Sequence, residues 1–188
     1  MTVTVTVTVT VTIEPFRGTE EEERAIKEIF FLSSARQSFV NDNDREQFYQ
    51  RWTRYYFASW PGEIRLARTF AADGPRLAGY LMFCPDSAGA LSYFESRIPS
   101  YGVFADLFAG FPAHLHMNCH PSARGQGIGG RLIMDARKRA PAGVHIVTSP
   151  DSRNVGFYRR NGFSFEVKRS WNAYELLFMG ARARSARE

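Results

Sequence analysis

The sequence predicts a single domain of mixed α/β class, with strands that pair mostly antiparallel and helices packed against them. Three observations carry this reading. Ala113 to Cys119 alternates, with Leu115, Met117 and Cys119 on one face and His114, His116, Asn118 and His120 on the other, which is the period of a strand. It leads through the glycine-rich run Arg124-Gly125-Gln126-Gly127-Ile128-Gly129-Gly130 into an apolar stripe, Ile128, Leu132, Ile133, Ala136 and Ala140, which Pro141 closes as a helix. The stretches before and after this unit read as local hairpins, and 188 residues with 44% hydrophobic content suffice for one core.

The elements follow in chain order. Residues 1–9 belong to a strict Thr-Val alternation of low complexity, and only its later part is expected to be structural. Val11 to Phe16 reads as a first strand. Thr19 and the run Glu20 to Glu23 supply an N-cap and an acidic first turn for a helix to about Ser33, with the four carboxylates at the surface. A second helix spans Asp42 to about Trp60; its Phe48, Trp52, Tyr55, Tyr56 and Phe57 serve as core or as the wall of a pocket. Glu63 to Ala71 and Arg76 to Cys84 form two strands around the Asp73-Gly74-Pro75 turn. From Pro85 to Pro112 runs an irregular, aromatic-rich segment, the kind that often lines a binding site. After the glycine helix come a strand from Gly143 to Thr148, a short helix from Asn154 to Arg160 and a final hairpin of Phe163 to Lys168 and Trp171 to Phe178. A basic tail occupies 180–188.

Composition narrows the function classes. The net charge of +5 comes almost wholly from arginine, with Lys27, Lys138 and Lys168 the only lysines, and the arginines are scattered. A solvated surface and an anionic ligand account for that excess better than a nucleic-acid module. No run is long and apolar enough to span a bilayer and no leader is evident, so no membrane partner and a cytoplasmic location are the expectation. Cys84 and Cys119 sit apart in strand-like runs and are read as buried thiols.

The glycine turn is an anion cradle, because glycines allow a tight backbone and the first amides of a helix point outward without partners. Three phosphate ligands compete for it. Gly125, Gly127 and Gly130 satisfy the dinucleotide spacing, with Asp151 placed as the ribose-binding acid, but a short helix and a hairpin follow where further parallel strands should. A nucleoside triphosphate loop lacks its Gly-Lys-Ser/Thr. The turn instead resembles the GNAT superfamily of acetyl-CoA-dependent acyltransferases, whose signature Gln/Arg-x-x-Gly-x-Gly/Ala is met by Arg124 to Gly129 at every position. Asn154-Val155-Gly156-Phe157-Tyr158 and Gly162-Phe163 are similar to that family's next block. More narrowly, Phe111-Pro112-Ala113-His114-Leu115-His116 and the Pro150-Asp151 turn are similar to the acetyltransferase-like domain of some O-GlcNAc hydrolases and its stand-alone bacterial relatives. The fit covers residues 113–165, and the strand-helix-helix-strand-strand opening agrees with it.

The resemblance implies a mostly antiparallel sheet of six to seven strands, helices on both faces and a splay between the fourth and fifth strands. It implies acetyl-CoA as cofactor, its pantetheine arm on the backbone of Met117 and Cys119 and its pyrophosphate on the amides from Gln126 to Gly130, with Arg124, Gly125 and Ile128 in the same turn. Asn154 would hydrogen-bond near the arm or merely start its helix, and Arg159 or Arg160 would approach the phosphorylated adenosine or face solvent. Tyr158 matches the general acid that protonates the departing thiolate. The fourth strand carries no carboxylate, so the general base falls to His116, ahead of His114, with Asp151 or a water chain also open. His114, His116 and His120 have no acidic or cysteine partner on their face, so no metal is expected. The reading is an N-acetyltransferase acting on a small-molecule or peptide amine, with a catalytically inactive acetyl-CoA-binding module as alternative. A homodimer through the edge of the terminal hairpin is open.

Overall fold

The computed structural model describes residues 10–71 and 74–182. The Thr-Val segment 1–9, Asp73 of the expected turn and residues 183–188 of the tail lie outside the described residues. The chain forms β1 (Val11–Pro15), α1 (Glu20–Ser33), α2 (Asp42–Ser59), β2 (Arg65–Ala71), β3 (Gly74–Cys84), α3 (Leu91–Glu95), β4 (Ala113–Cys119), α4 (Ile128–Arg139), β5 (Val144–Thr148), α5 (Val155–Arg160), β6 (Phe165–Trp171) and β7 (Tyr174–Ala181). Seven strands make one sheet in the order β1-β2-β3-β4-β5-β7-β6, and every pairing is antiparallel except β4 with β5.

Alternation along β3 and β4 sorts the side chains onto two faces. Leu81, Phe83, Leu115 and Met117 join Ile128, Leu132 and Ile133 of α4 and Tyr158 of α5 in one core. Tyr80, Met82 and Cys84 turn to the opposite face and pack with Ile26, Ile29 and Phe30 of α1 and Tyr49 and Tyr56 of α2. Thr19 caps α1 by accepting from the Glu22 amide at 3.2 Å, as expected. Of the four glutamates that follow, Glu22 departs from the expected surface role: it is buried, and its carboxylate takes the Arg17 amide at 2.7 Å and the Arg68 guanidinium at 2.8 Å.

Two boundaries differ from expectation. Phe163 is fully buried and its amide donates to Tyr158 O at 3.1 Å, so it ends α5 rather than starting a strand. The last hairpin turns at Asn172-Ala173, with Asn172 in the left-handed region (φ 52°), so β6 and β7 run two to three residues later than the apolar pattern suggests and Gly180 and Ala181 belong to β7, not the tail. The aromatic segment between β3 and β4 is ordered: α3 and a 3-10 stretch at Tyr101–Leu107 bury Phe94, Phe104, Phe108 and Phe111. Arg169 of β6 ties it down with a fork to Asp106 at 2.5 and 2.8 Å and a bond to Val103 O at 2.6 Å.

Candidate active site

The parallel ladder of β4 and β5 covers only Ala113↔Val144 and His114↔His145, and beyond it the two strands separate. What faces the gap follows from the antiparallel ladder on the other side. His120 N donates to Ala78 O at 2.9 Å, one step beyond the Gly79↔Cys119 pair, so the bonded positions along β4 recur at Asn118, His116 and His114. Leu115, Met117 and Cys119 therefore direct their backbone N–H and C=O groups away from β3, into the gap. The Cys119 carbonyl is partly engaged, accepting from Ser33 Oγ at 3.1 Å, and Arg124 reaches the same hydroxyl at 3.5 Å.

At the end of β4 a short 3-10 turn, Pro121–Ala123, redirects the chain; His120 caps it, its Nδ1 lying 2.7 Å from Ser122 Oγ and accepting from the Ser122 amide at 3.2 Å. His120 is thus a turn residue beyond the strand, not part of its polar face. The glycine run then bends through Gly125 (φ +78°) and Gly127 (φ +76°), conformations that side-chain-bearing residues avoid. Gly127 occupies the cap position of α4 without a capping side chain, which leaves the amides of Ile128, Gly129 and Gly130 without helical acceptors. The Ile128 side chain itself is buried in the core, so this residue can offer a ligand only its backbone. Gln126 is turned back, its Nε2 donating to Ser122 O at 3.1 Å. A groove of about 940 Å³ runs from Gly127 and Gly130 between α4 and α5, with Arg131, Lys138 and Arg160 in its wall. Arg159 is not among them: its guanidinium forks onto Glu166 at 2.7 and 2.8 Å.

On this same face, Tyr158 is buried against Phe157 and Phe163, with ring centroids 5.2 and 5.1 Å away. Burial holds its phenol well above the ordinary tyrosine range, and the Cys119 thiol pushes it further the same way. The phenol is protonated throughout the neutral range, as an acid must be. Asn154 starts α5 without a side-chain cap and accepts instead from Thr148 Oγ1 at 3.3 Å, joining α5 to the end of β5.

The opposite side of the gap opens into a cavity of about 310 Å³ walled by Trp52 and Tyr56 of α2, Phe94, Tyr101, and the imidazoles of His114, His116 and His145. Both expected bases stand here, each ring held by hydrogen bonds to its neighbours. Asn118 Nδ2 donates to Tyr80 Oη at 2.8 Å, and both groups face His116 Nε2, at 3.4 and 3.2 Å. That nitrogen is therefore an acceptor and the His116 proton sits on Nδ1. His114 Nδ1 lies 2.8 Å from Ser87 Oγ and 3.2 Å from Tyr101 Oη, which itself donates to Ser87 O at 3.3 Å, so two hydroxyls hold the ring through Nδ1. Burial depresses the His116 pKa to about 4 and that of His114 well below its usual value, with His145 adding to the latter. Both rings are neutral at pH 7, and the accepting nitrogen of His116 is already engaged by Tyr80 and Asn118. Asp151, the other open candidate, lies on the exposed turn after β5 and accepts from Ser149 Oγ.

Sequence reasoning missed His145, Ser87 and Ser33, whereas Trp52 and Tyr56 stand in the pocket wall that the sequence left open for them. His145 is brought opposite His114 by the parallel register, and its Nδ1 lies 2.8 Å from Phe111 O, to which it donates. Its run, Gly143 to Thr148, reads as plain strand, so only the strand pairing reveals it.

A sheet that opens between two parallel strands beside an uncapped, glycine-led helix N-terminus defines the acyltransferase class of α/β domain. A sequence model of the acetyltransferase (GNAT) domain matches residues 67–165, and the chain belongs to that family. Its fold is shared with SsHAT (TM-score 0.66, 16% identity, 94% of this chain and 100% of that one). It is shared also with PH1933 of Pyrococcus horikoshii (0.65, 13%, 94% and 100%) and, less closely, with yncA of Salmonella typhimurium, solved with its cofactor acetyl-CoA (0.51, 15%, 95% and 96%).

Proposed function

We propose that the chain is an acetyl-CoA-dependent N-acetyltransferase that passes the acetyl group to a primary amine by direct attack within a ternary complex. The observation that carries this reading is the gap itself: it joins backbone groups of Met117 and Cys119 and the free amides of α4 on one side to a separate aromatic cavity on the other. Bound there, acetyl-CoA would supply a thioester-activated acetyl group.

The chain's own residues divide the remaining work. The amides of Ile128, Gly129 and Gly130, with Arg124 alongside and Gly125 and Gly127 allowing the approach, meet the pyrophosphate, where the α4 dipole adds to the attraction. The free N–H and C=O groups of Met117 and the N–H of Cys119 hold the arm much as a neighbouring strand would. Asn154, fixed to Thr148, keeps α5 and hence Tyr158 against the gap. Tyr158 keeps its proton until sulfur departs and then donates it. His116 and His114 wall the acceptor cavity and orient the incoming amine, whose proton passes to water after attack.

Titration calorimetry with acetyl-CoA, followed by thiol release over a panel of amines, tests this. Tight acetyl-CoA binding with amine-dependent thiol release is expected. Binding without thiol release for any amine would move the chain to the inactive-module reading, and no binding would overturn both.

A further inference from the structure

The cavity on the α2 side of the gap has an apolar outlet, and the strand register shows where it leads. Trp52, Tyr56, Phe94 and Tyr101 stand in its wall, and among the described residues no Asp, Glu, Lys or Arg stands with them. Its histidines are neutral at pH 7, because burial holds His116 and His145 at a pKa of about 4 and His114 well below its usual value. The cavity therefore offers a ligand apolar surface and no fixed charge. Val147, in the same wall, is 41% exposed, so the cavity meets solvent near the end of β5.

The hairpin of β6 and β7 continues past that point. Thr148, the last residue of β5, pairs with Leu177, so Leu176, Glu175 and Tyr174 of β7 run on beyond it, roughly 10 Å at the rise of a strand. Leu176 lines the cavity. Side chains alternate along a strand, so the next one on that face is Tyr174, and Trp171 stands directly opposite it across the hairpin. Glu175 and its partner Ser170 turn to the other face. Arg169, opposite Leu176, is held in a fork by Asp106. Tyr174 is 68% exposed and Trp171 partly buried. A single exposed ring would call for no explanation, but two rings in register with a cavity wall extend that wall outward.

We infer that this face of the hairpin is the outer half of the acceptor site: the substrate is an elongated apolar amine whose near part fills the cavity and whose far part, a second ring, lies across Tyr174 and Trp171. The amine rests on the acyl-transfer reading above, whereas the two-part apolar shape rests on the cavity and the hairpin alone. Tyr174 is then a specificity-determining residue that never meets the reacting atoms. It favours long acceptors over short ones and leaves the chemistry of either unchanged.

The probes are benzylamine, which has a single ring for the cavity, and 4-(benzyloxy)benzylamine, which carries a second ring beyond the first. Calorimetry on the protein without acetyl-CoA should show the longer probe bound about tenfold more tightly, the upper range for one added aromatic contact. Tyr174→Ser should remove most of that difference and leave benzylamine unchanged, and Tyr174→Phe, which keeps the ring, should preserve it. Equal urea midpoints for wild type and both variants would show that the fold is untouched. With acetyl-CoA, kcat/KM should favour the longer amine by a similar factor in wild type and Tyr174→Phe but not in Tyr174→Ser. Equal binding of the two probes by wild type, or a difference that survives Tyr174→Ser, would overturn the inference. So would a change of oligomeric state on Tyr174→Ser, which would make the two rings an interface between copies of the chain. If acetyl-CoA fails to bind while the Tyr174-dependent difference persists, acyl transfer falls and the assignment of the surface stands.

Discussion

His114 stands directly opposite His145 at the last pair of the parallel ladder, with ring centroids 5.8 Å apart, both side chains buried. The imidazoles thus meet where the sheet opens, and His116 follows two residues along β4. Burial pushes the pKa of His116 and of His145 down to about 4, while an unfolded histidine titrates near 6.5. A folded pKa below the unfolded one means that the unfolded chain binds more protons between these values. Stability is therefore intact above about pH 6.5 and falls as pH drops toward 4, by roughly 2 kcal/mol for each of these two residues at pH 5. Urea unfolding at pH 7.5, 6 and 5 should show this loss, and His145→Phe should flatten the slope; a midpoint independent of pH across this range would refute the assignment.

Tyr158→Phe separates the acid role from packing. The ring keeps its contacts with Phe157 and Phe163, and the hydroxyl has no hydrogen-bond partner among the described residues, so unfolding stability should change by less than about 1 kcal/mol. Acetyl-CoA affinity should hold, while kcat falls about 100-fold, the low end of what general acids contribute. The wild-type alkaline limb of kcat, displaced above the ordinary tyrosine range by burial, should disappear. A variant with wild-type kcat at all pH values would remove Tyr158 from the chemistry.

Local signals made most of this fold readable. Thr19 as a cap, the Ile128 to Ala140 stripe and the alternation of β4 depend on near neighbours, and each held to within a residue or two. The last hairpin slipped because Phe163 looks like a strand residue and only the end of α5 makes it core. At the site, the anion turn is likewise local, since glycine spacing and helix onset are adjacent in sequence. The acceptor side is not. His145 lies 31 residues from His114 and Ser87 lies 27 from it, and the bonds that hold the rings of His114 and His116 come from β3 and the aromatic segment. Residue type alone suggested bases; what each ring is already bonded to needed the neighbours.

Gly127→Ala tests the turn. The residue has φ +76°, and a Cβ built there meets nothing within 4 Å, so the cost is conformational rather than a clash. Forcing alanine into the left-handed region should lower unfolding stability by about 1–2 kcal/mol. The new methyl also stands in the open space through which the proposed pyrophosphate would reach the α4 amides. Acetyl-CoA affinity should fall at least tenfold by calorimetry, a larger relative effect than the fold suffers. Unchanged affinity would place the pyrophosphate elsewhere.

Arg159 and Arg160 are adjacent in sequence but differ in availability, which makes them a matched pair. Arg159 is committed to Glu166 through two bonds, whereas Arg160 makes no hydrogen bond or ion pair among the described residues and lines the groove that begins at Gly127 and Gly130. If the phosphorylated adenosine end of the cofactor lies in that groove, Arg160→Ala should weaken acetyl-CoA binding three- to tenfold, the range for a solvent-screened charge contact. The loss should shrink as salt rises. Arg159→Ala should leave affinity within a factor of two and slightly lower stability instead. Dephospho-coenzyme A closes the cycle: lacking the 3′-phosphate, it should bind wild type and Arg160→Ala alike. A loss of equal size for both ligands would show that Arg160 acts on the pyrophosphate or on the shape of the groove, and not on the adenosine phosphate.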